Sequence, residues 1–324
     1  MKAVIVNEDH SLSWGEVDHP KIGDHEVLIR ISATAINRAD LMQRKGFYPP
    51  PPGASEIMGL ECAGEIVEVG AGCTRFKAGD KVCALLAGGG YSQYASAHEG
   101  SVLPIPDGLS DEQAAALPEV FATAWLNLFI EAGLKAGDKT IIHAGASGVG
   151  TTAIQLCKAF GASSFVTVGS KDKLRACIEL GASGGFNRHD GSFLETAKTF
   201  AGESGVDVIL DPVGAGYLPD NLSLLGLGGR LVLIGLMGGI KAELDLAQMM
   251  MKRARIIGST LRTRPVTEKA VVMAQLEEKV WPKIVNQEIK PIIEAVFPIT
   301  GIADAHDLVA SDTTTGKVIL TVEH

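Results

Sequence analysis

The chain has 324 residues, 46% of them hydrophobic and 21% charged, a balance that supports packed cores and argues against wholesale disorder. That length accommodates two domains. With 38 acidic against 29 basic residues the net charge is −9 and no Lys/Arg cluster stands out, so the basic face that nucleic-acid binding needs is missing from the composition.

The first residues, "MKAVIVNEDH", turn acidic where a signal peptide would continue its apolar stretch, and no apolar run reaches the roughly 18 residues of a membrane helix. A cytoplasmic protein with neither membrane nor nucleic-acid partners is expected. Cys62, Cys73, Cys83, Cys157 and Cys177 form no close pair and fit no zinc ribbon, which suits buried thiols in a reducing compartment.

The first third alternates β-branched and polar residues in "MKAVIV", "EVLIRISATAI", "CAGEIVEVG" and "DKVCALL", with Gly and Asp between the runs. This predicts a small antiparallel β domain, read as a partly open barrel. From about residue 117 the rhythm changes. Apolar strands are predicted at 140–144, 164–169, 184–187, 206–211, 230–236 and 255–261, with helices at 148–160, 171–180 and 192–200. Short apolar strands separated by helices imply an α/β fold with a doubly wound parallel sheet. The tail carries an amphipathic helix around 271–285, then "IEAVFPI" and "GKVILTVE" flanking a short helix near 301–310. Strand-like runs after a completed sheet imply that the chain returns to its first domain.

The predicted strand at 140–144 runs into a glycine-rich turn, "GASGVG". Two registers of a dinucleotide-binding turn fit: Gly145-x-Ser147-x-x-Gly150, and Gly148-x-Gly150-x-x-Ala153. The first is preferred, because it starts directly after the strand and leaves Ser147 at the helix N-cap, near a bound phosphate. The next strand tip selects the cofactor. NAD sites place Asp or Glu there, whereas this chain reads "VGSKDK", with Gly169, Ser170 and Lys173, and Arg188 follows at the end of "GFNR". Hydroxyls and cations suit a 2′-phosphate, so NADPH is the expected cofactor.

"NRADLMQRKGFYPPPPGAS", "MGLECAGEIVEVG", "LLAGGGYSQYA", "IHAGASGVGTTAIQL", "GASGGFN" and "LIGLMGG", in this order, cover nearly the whole chain. They resemble the zinc-free quinone oxidoreductases of the medium-chain dehydrogenase/reductase superfamily, particularly the tumour-suppressor-inducible branch, with zeta-crystallin more distant. The resemblance implies a GroES-like catalytic domain from residues 1–118 and 263–324 and a Rossmann domain at 119–262. It places cofactor contacts at Thr123, at Gly145, Ser147, Gly148, Val149 and Gly150 of the turn, at Gly169, Ser170 and Lys173, and at Gly235, Leu236 and Met237. Asn37 and Tyr48 also fall at cofactor-contacting positions. Relatives often have Tyr at the position of Arg188, so charge would replace stacking there.

Zinc-dependent members carry Gly-His-Glu, whose histidine binds the metal; here the segment is Gly59-Leu60-Glu61. The cysteine position falls at Asn37, the third ligand position near Pro118, and the structural four-cysteine lobe is missing, so no metal is expected. Without zinc to stabilise an alkoxide, the acceptor must spread its own negative charge, as a quinone or a conjugated enone does. Tyr48, beside the stiff Pro49–Pro52 run, is assigned as substrate anchor or general acid, with a plain pocket wall as its alternative. Asn37 is assigned to the nicotinamide ribose or the substrate oxygen, with local turn capping as its alternative. Asp40, Glu61 and His143 read as structural, and His306-Asp307 as a poor dyad.

The leading function is NADPH:quinone reduction. An alkenal or enone C=C reductase, and an NADPH-binding protein with little turnover, remain alternatives. By resemblance, a homodimer is expected through the edge near "RIIGSTLRTR".

Overall fold

The β-branched runs of the first third become strands. They are β1 (Lys2–Val6), β2 (Leu12–Glu16), β3 (Glu26–Ala35), β4 (Glu61–Val69), β5 (Lys81–Leu85), β6 (Tyr94–His98) and β7 (Val102–Pro104). Along much of β3, β4 and β5 consecutive residues are buried, so both faces are covered there. The computed structural model describes all residues, Met1–His324, in two units: Met1–Ala122 with Leu261–His324, and Thr123–Thr260.

The second unit contains β8 (Lys139–His143), β9 (Ser163–Val168), β10 (Gly184–Asn187), β11 (Val206–Asp211), β12 (Leu225–Leu233) and β13 (Arg255–Gly258). They form one parallel sheet in the order β10-β9-β8-β11-β12-β13. The order reverses between β8 and β11, the arrangement of a dinucleotide-binding sheet. β12 starts earlier than the sequence suggests, since "LGLGG" joins it through a register shift opposite β11.

The tail adds β14 (Ile293–Pro298) and β15 (Lys317–Thr321) to the first unit. β15 pairs antiparallel with β3, and β14 lies parallel beside β15, in a seven-stranded sheet that also holds β4, β5, β6 and β7. Val318, Ile319 and Leu320 are at most 1% exposed, and each such burial is worth about 1.5–3 kcal/mol. Closing a longer loop costs only about 0.6 kcal/mol per doubling. Packing therefore outweighs the long excursion.

The predicted helix over 271–285 is in fact two, Val266–Lys279 and Trp281–Val285. Pro282 supplies the reason: it lacks an N–H and sterically opposes the preceding turn, so it sits in the first turn of the second helix. The crossing between the two units falls inside the helix Pro118–Trp125.

In the turn after β8, added Cβ atoms would have no room. On Gly145 one would sit 2.6 Å from Val166 Cβ, and on Gly150 one would lie 2.5 Å from the carbonyl oxygens of Ala144 and Gly145. Close approach of helix, turn and strand thus demands these two glycines. Helix propensity alone favours Gly150→Ala by about 1 kcal/mol, whereas overpacking against backbone costs about 1–3 kcal/mol. Gly150→Ala is expected to destabilise the protein in urea unfolding; a stabilised variant would contradict the close approach.

Candidate active site

The residues expected to contact a nucleotide lie mostly at the carboxyl ends of the parallel strands in the second unit. After β8 the chain turns through Ala144 (φ 54°), and Ser147 caps the helix Gly148–Ala159. Its Oγ accepts the Gly150 N–H at 3.0 Å. A helix leaves its first N–H groups without intrahelical partners. Ser147 takes one of them, which leaves those of Gly148 and Val149 at the positive end of the helix dipole, a setting that suits a phosphate.

The tip of β9 has the same construction. Ser170 caps the helix Lys171–Leu180 by accepting the Lys173 N–H at 3.2 Å. A Cβ on Gly169 would lie 3.6 Å from Nη2 of Arg188, which places the guanidinium against this glycine. Asp172, the nearby acid, is turned to solvent and bonded to Arg175 at 2.8 Å. Tyr217, which the sequence did not single out, lies within the influence of Arg188: burial raises its phenol above the usual range and the Arg188 charge opposes that shift.

Beyond β12, Gly235 packs against Pro212, and Met237 N–H donates to the Pro212 oxygen at 3.2 Å. Leu236 and Met237 are half exposed. Thr123 is half-buried on the helix Pro118–Trp125, and its carbonyl accepts from Asn127 Nδ2 at 2.7 Å. His143 is a satisfied core histidine: its ring nitrogens meet Thr167 Oγ1 at 2.9 Å and Asn221 Oδ1 at 2.7 Å. Burial holds its pKa below the usual value.

In the first unit, Asn37 is the N-cap of the helix Arg38–Arg44, in a capping box with Asp40. Nδ2 donates to Glu61 Oε1 at 2.8 Å, and Oδ1 accepts from Lys317 Nζ at 2.7 Å. Lys317 Nζ also donates to Glu61 Oε1 at 2.7 Å and to the Ile36 oxygen at 2.9 Å. Glu61 Oε2 accepts the Glu119 N–H at 2.8 Å. The Lys317 side chain is 4% exposed and that of Glu61 is 0%. Asn37 is therefore a clamped amide, with each polar atom already engaged inside the chain.

Asp40, fully buried, accepts the Asn37 N–H at 2.8 Å and the Tyr91 hydroxyl at 2.7 Å on Oδ2, while Oδ1 has no partner. Burial raises its pKa to about 6. His306 packs edge-on against Tyr91 with both nitrogens unpartnered, and burial lowers its pKa to about 4. It and Asp307 form no dyad. Tyr48 is half-buried beneath the guanidinium of Arg262, whose Cζ lies 5.3 Å from the ring centroid. Burial, then the Glu119 charge, raises its phenol pKa, so Tyr48 keeps its proton at neutral pH.

These groups do not suit zinc. Leu60 and Pro118 offer no donor, and the Lys317 ammonium occupies the lone pairs of Asn37 and Glu61 that a cation would need. No group of three or more His, Cys, Asp or Glu side chains is arranged to hold a metal ion.

A GroES-like β unit drawn from both chain ends, with a doubly wound nucleotide-binding unit between them in sequence, defines a medium-chain dehydrogenase/reductase. Residues 23–107 match the alcohol dehydrogenase GroES-like domain, and residues 148–277 match a domain described as zinc-binding dehydrogenase. The chain is 33% identical to rat quinone oxidoreductase over 93% of its own length and 90% of the relative's. Against the human quinone oxidoreductase the identity is 32%, over 92% and 89%. Among solved structures, an NAD-dependent alcohol dehydrogenase superposes with TM-score 0.87 at 28% identity, covering 100% of both chains. The CurK enoyl reductase gives 0.86 at 27% over 99% of both, and a mycobacterial protein complexed with NADPH gives 0.86 at 25% over 99% and 100%. The chain belongs to the quinone oxidoreductase family of the medium-chain dehydrogenases/reductases.

Sequence reasoning selected Asn37 and Glu61 but missed Lys317, Tyr91 and Arg262, which hold this part of the site in place. Removing one partner from a buried ion pair costs about 3–5 kcal/mol, because the other charge is left uncompensated. Lys317→Met is expected to lose stability of that order in urea unfolding, and Lys317→Met/Glu61→Gln to recover much of it. Additive losses in the double variant would show that the two groups are not coupled.

Proposed function

We propose that this protein is a quinone reductase that takes its hydride from NADPH and works without zinc. The observation that carries the proposal is the Asn37–Glu61–Lys317 cluster, in which an ammonium group is bonded to Asn37, the position that by resemblance corresponds to a metal-binding cysteine in zinc-dependent members. A site without a Lewis acid suits an acceptor that spreads the incoming negative charge over its own π system, as a quinone does. The curated relatives named quinone oxidoreductase support the same class.

NADPH is favoured over NADH by the tip of β9, where Arg188 lies against Gly169 and no carboxylate faces that glycine. A neighbour complexed with NADPH supports this choice. The N–H groups of Gly148 and Val149 would take the pyrophosphate, Ser170, Lys173 and Arg188 the 2′-phosphate, and the backbone at Gly235, Leu236 and Met237, with Thr123, the nicotinamide end. When bound, the cofactor supplies the hydride.

The chain's own residues then bind and orient. Tyr48, protonated at neutral pH, donates a hydrogen bond or a proton to the acceptor oxygen, and Asn37 presents an amide fixed by Glu61 and Lys317. Most of the rate enhancement would come from positioning. Enoyl reductases among the structural neighbours, together with the hydroxyl of Tyr48, support a second reading, reduction of a conjugated C=C bond. We further propose cytoplasmic residence and a homodimer in which the edge strand β13, which pairs only with β12, finds its second partner.

Oxidation of NADPH with 1,2-naphthoquinone and with 2-hexenal, using NADH as control, tests these readings. Quinone turnover that prefers NADPH is expected. Arg188→Ala should raise KM for NADPH about tenfold, the size of one charged hydrogen bond, and leave NADH unaffected. Turnover of the alkenal alone would replace quinone reduction with double-bond reduction, and turnover of neither would leave a binding protein.

A further inference from the structure

Beside Tyr48 lies a cation that neither the fold nor the function proposed above accounts for. Arg262 is 4% exposed, and its guanidinium carries five N–H donors. Nε donates to the Ala87 oxygen at 2.8 Å and Nη1 to the Tyr48 oxygen at 3.3 Å. Nη2 is buried and has no hydrogen-bond partner, and Arg262 takes part in no ion pair. A buried cation without a counter-ion is strongly disfavoured unless other groups take up its charge. Here those groups are two carbonyl oxygens and the face of the Tyr48 ring, 5.3 Å from Cζ and within cation–π range, with the Asp40, Glu119 and Glu56 charges acting alongside them. Arg262 therefore does more than pin two loops together, because its guanidinium lies over the ring of the tyrosine.

We infer that Arg262 is a positioning residue for Tyr48: stacked on the ring and bonded to the Tyr48 carbonyl, it fixes the phenol and biases it towards giving its proton to an oxyanion forming on the acceptor. This rests on the proposal above that Tyr48 meets the acceptor oxygen. In the proton transfer the Tyr48 O–H bond breaks and an O–H bond to the acceptor forms. The phenolate left behind is held beside the guanidinium until solvent returns a proton.

The charges around the pair act in both directions. Burial and Glu119 hold the Tyr48 proton on, and Arg262 favours its loss. Burial lowers the pKa of Arg262 itself, while Tyr48, Asp40, Glu119 and Glu56 support its charge. Lys269 donates to the Arg262 carbonyl oxygen at 2.7 Å and adds a second cation nearby. Of the neighbouring charges, that of Arg262 favours the Tyr48 phenolate.

The chain has four tyrosines, so carbon-13 labelling at Cζ gives few resonances, and the one absent from Tyr48→Phe is that of Tyr48. Titration of this resonance in wild type, Arg262→Gln and Arg262→Lys tests the inference. In Arg262→Gln it is expected to titrate about one pH unit or more above wild type, the effect of losing an opposite charge at close range. Arg262→Lys, which keeps the charge, is expected to stay near wild type. Should the glutamine variant fail to fold, the lysine variant decides: a wild-type titration supports the inference and a rise of a full unit overturns it. An unchanged titration in a folded Arg262→Gln also overturns it. The titration uses neither cofactor nor acceptor, so a chain that reduces no quinone leaves the effect of Arg262 on Tyr48 standing. A competent quinone reductase whose Tyr48 ignores Arg262 removes it.

Discussion

In the first unit, the cluster around Asn37 depends on one buried ion pair, Lys317 with Glu61. It joins strands far apart in sequence, β15 and β4, and fixes the amide of Asn37 between them. Two charges at such depth are tolerable only when every donor and acceptor around them is used, and here nearly all are. Lys317 spends three hydrogen bonds on Ile36, Asn37 and Glu61, and the second carboxylate oxygen of Glu61 takes the Glu119 N–H at the start of a helix. This satisfied cluster also governs the chemistry. In the proposed reaction, with Lys317 bonded to the oxygens of Asn37 and Glu61, the acceptor's own π system and donors such as Tyr48 would stabilise the reduced acceptor.

The second unit is governed by steric constraint more than by charge. Gly145 and Gly150 allow strand, turn and helix to approach so closely that a methyl group would strike backbone oxygen or Val166. That approach aims the amino end of the helix Gly148–Ala159 beyond the end of β8. At β9 the same strand–cap–helix construction recurs with Ser170, and the guanidinium of Arg188 lies against Gly169. In the proposed function, backbone geometry offers the phosphate site, and the side chains at the tip of β9 would select which nucleotide fills it.

Much of this was visible in the sequence. The strands of the parallel sheet and the Ser147 cap follow from apolar runs interrupted by glycine and serine, and "GKVILTVE" returns to the first unit because its apolar residues need a sheet to cover them. Other features were not visible, for identifiable reasons. Lys317 lies 280 positions from Asn37 and 256 from Glu61, and no local pattern records that they meet. Arg262 sits in "LRTR" among polar residues that resemble a solvated turn, yet it is buried. Asn37 carried a turn-capping reading that its residue type favours, and it is the N-cap of a helix, but its bonds to Glu61 and Lys317 were not legible locally. Pro282 was the one overlooked local signal, since a proline inside a predicted helix should have divided it.

The central claim is that this chain carries out hydride transfer with a buried ammonium cluster in place of a metal. The most direct measurement is NADPH-dependent quinone turnover by protein dialysed exhaustively against a chelator, before and after zinc is added back. Turnover unchanged by chelation and not raised by zinc is the predicted result. Loss of turnover on chelation, restored by zinc, would contradict the account.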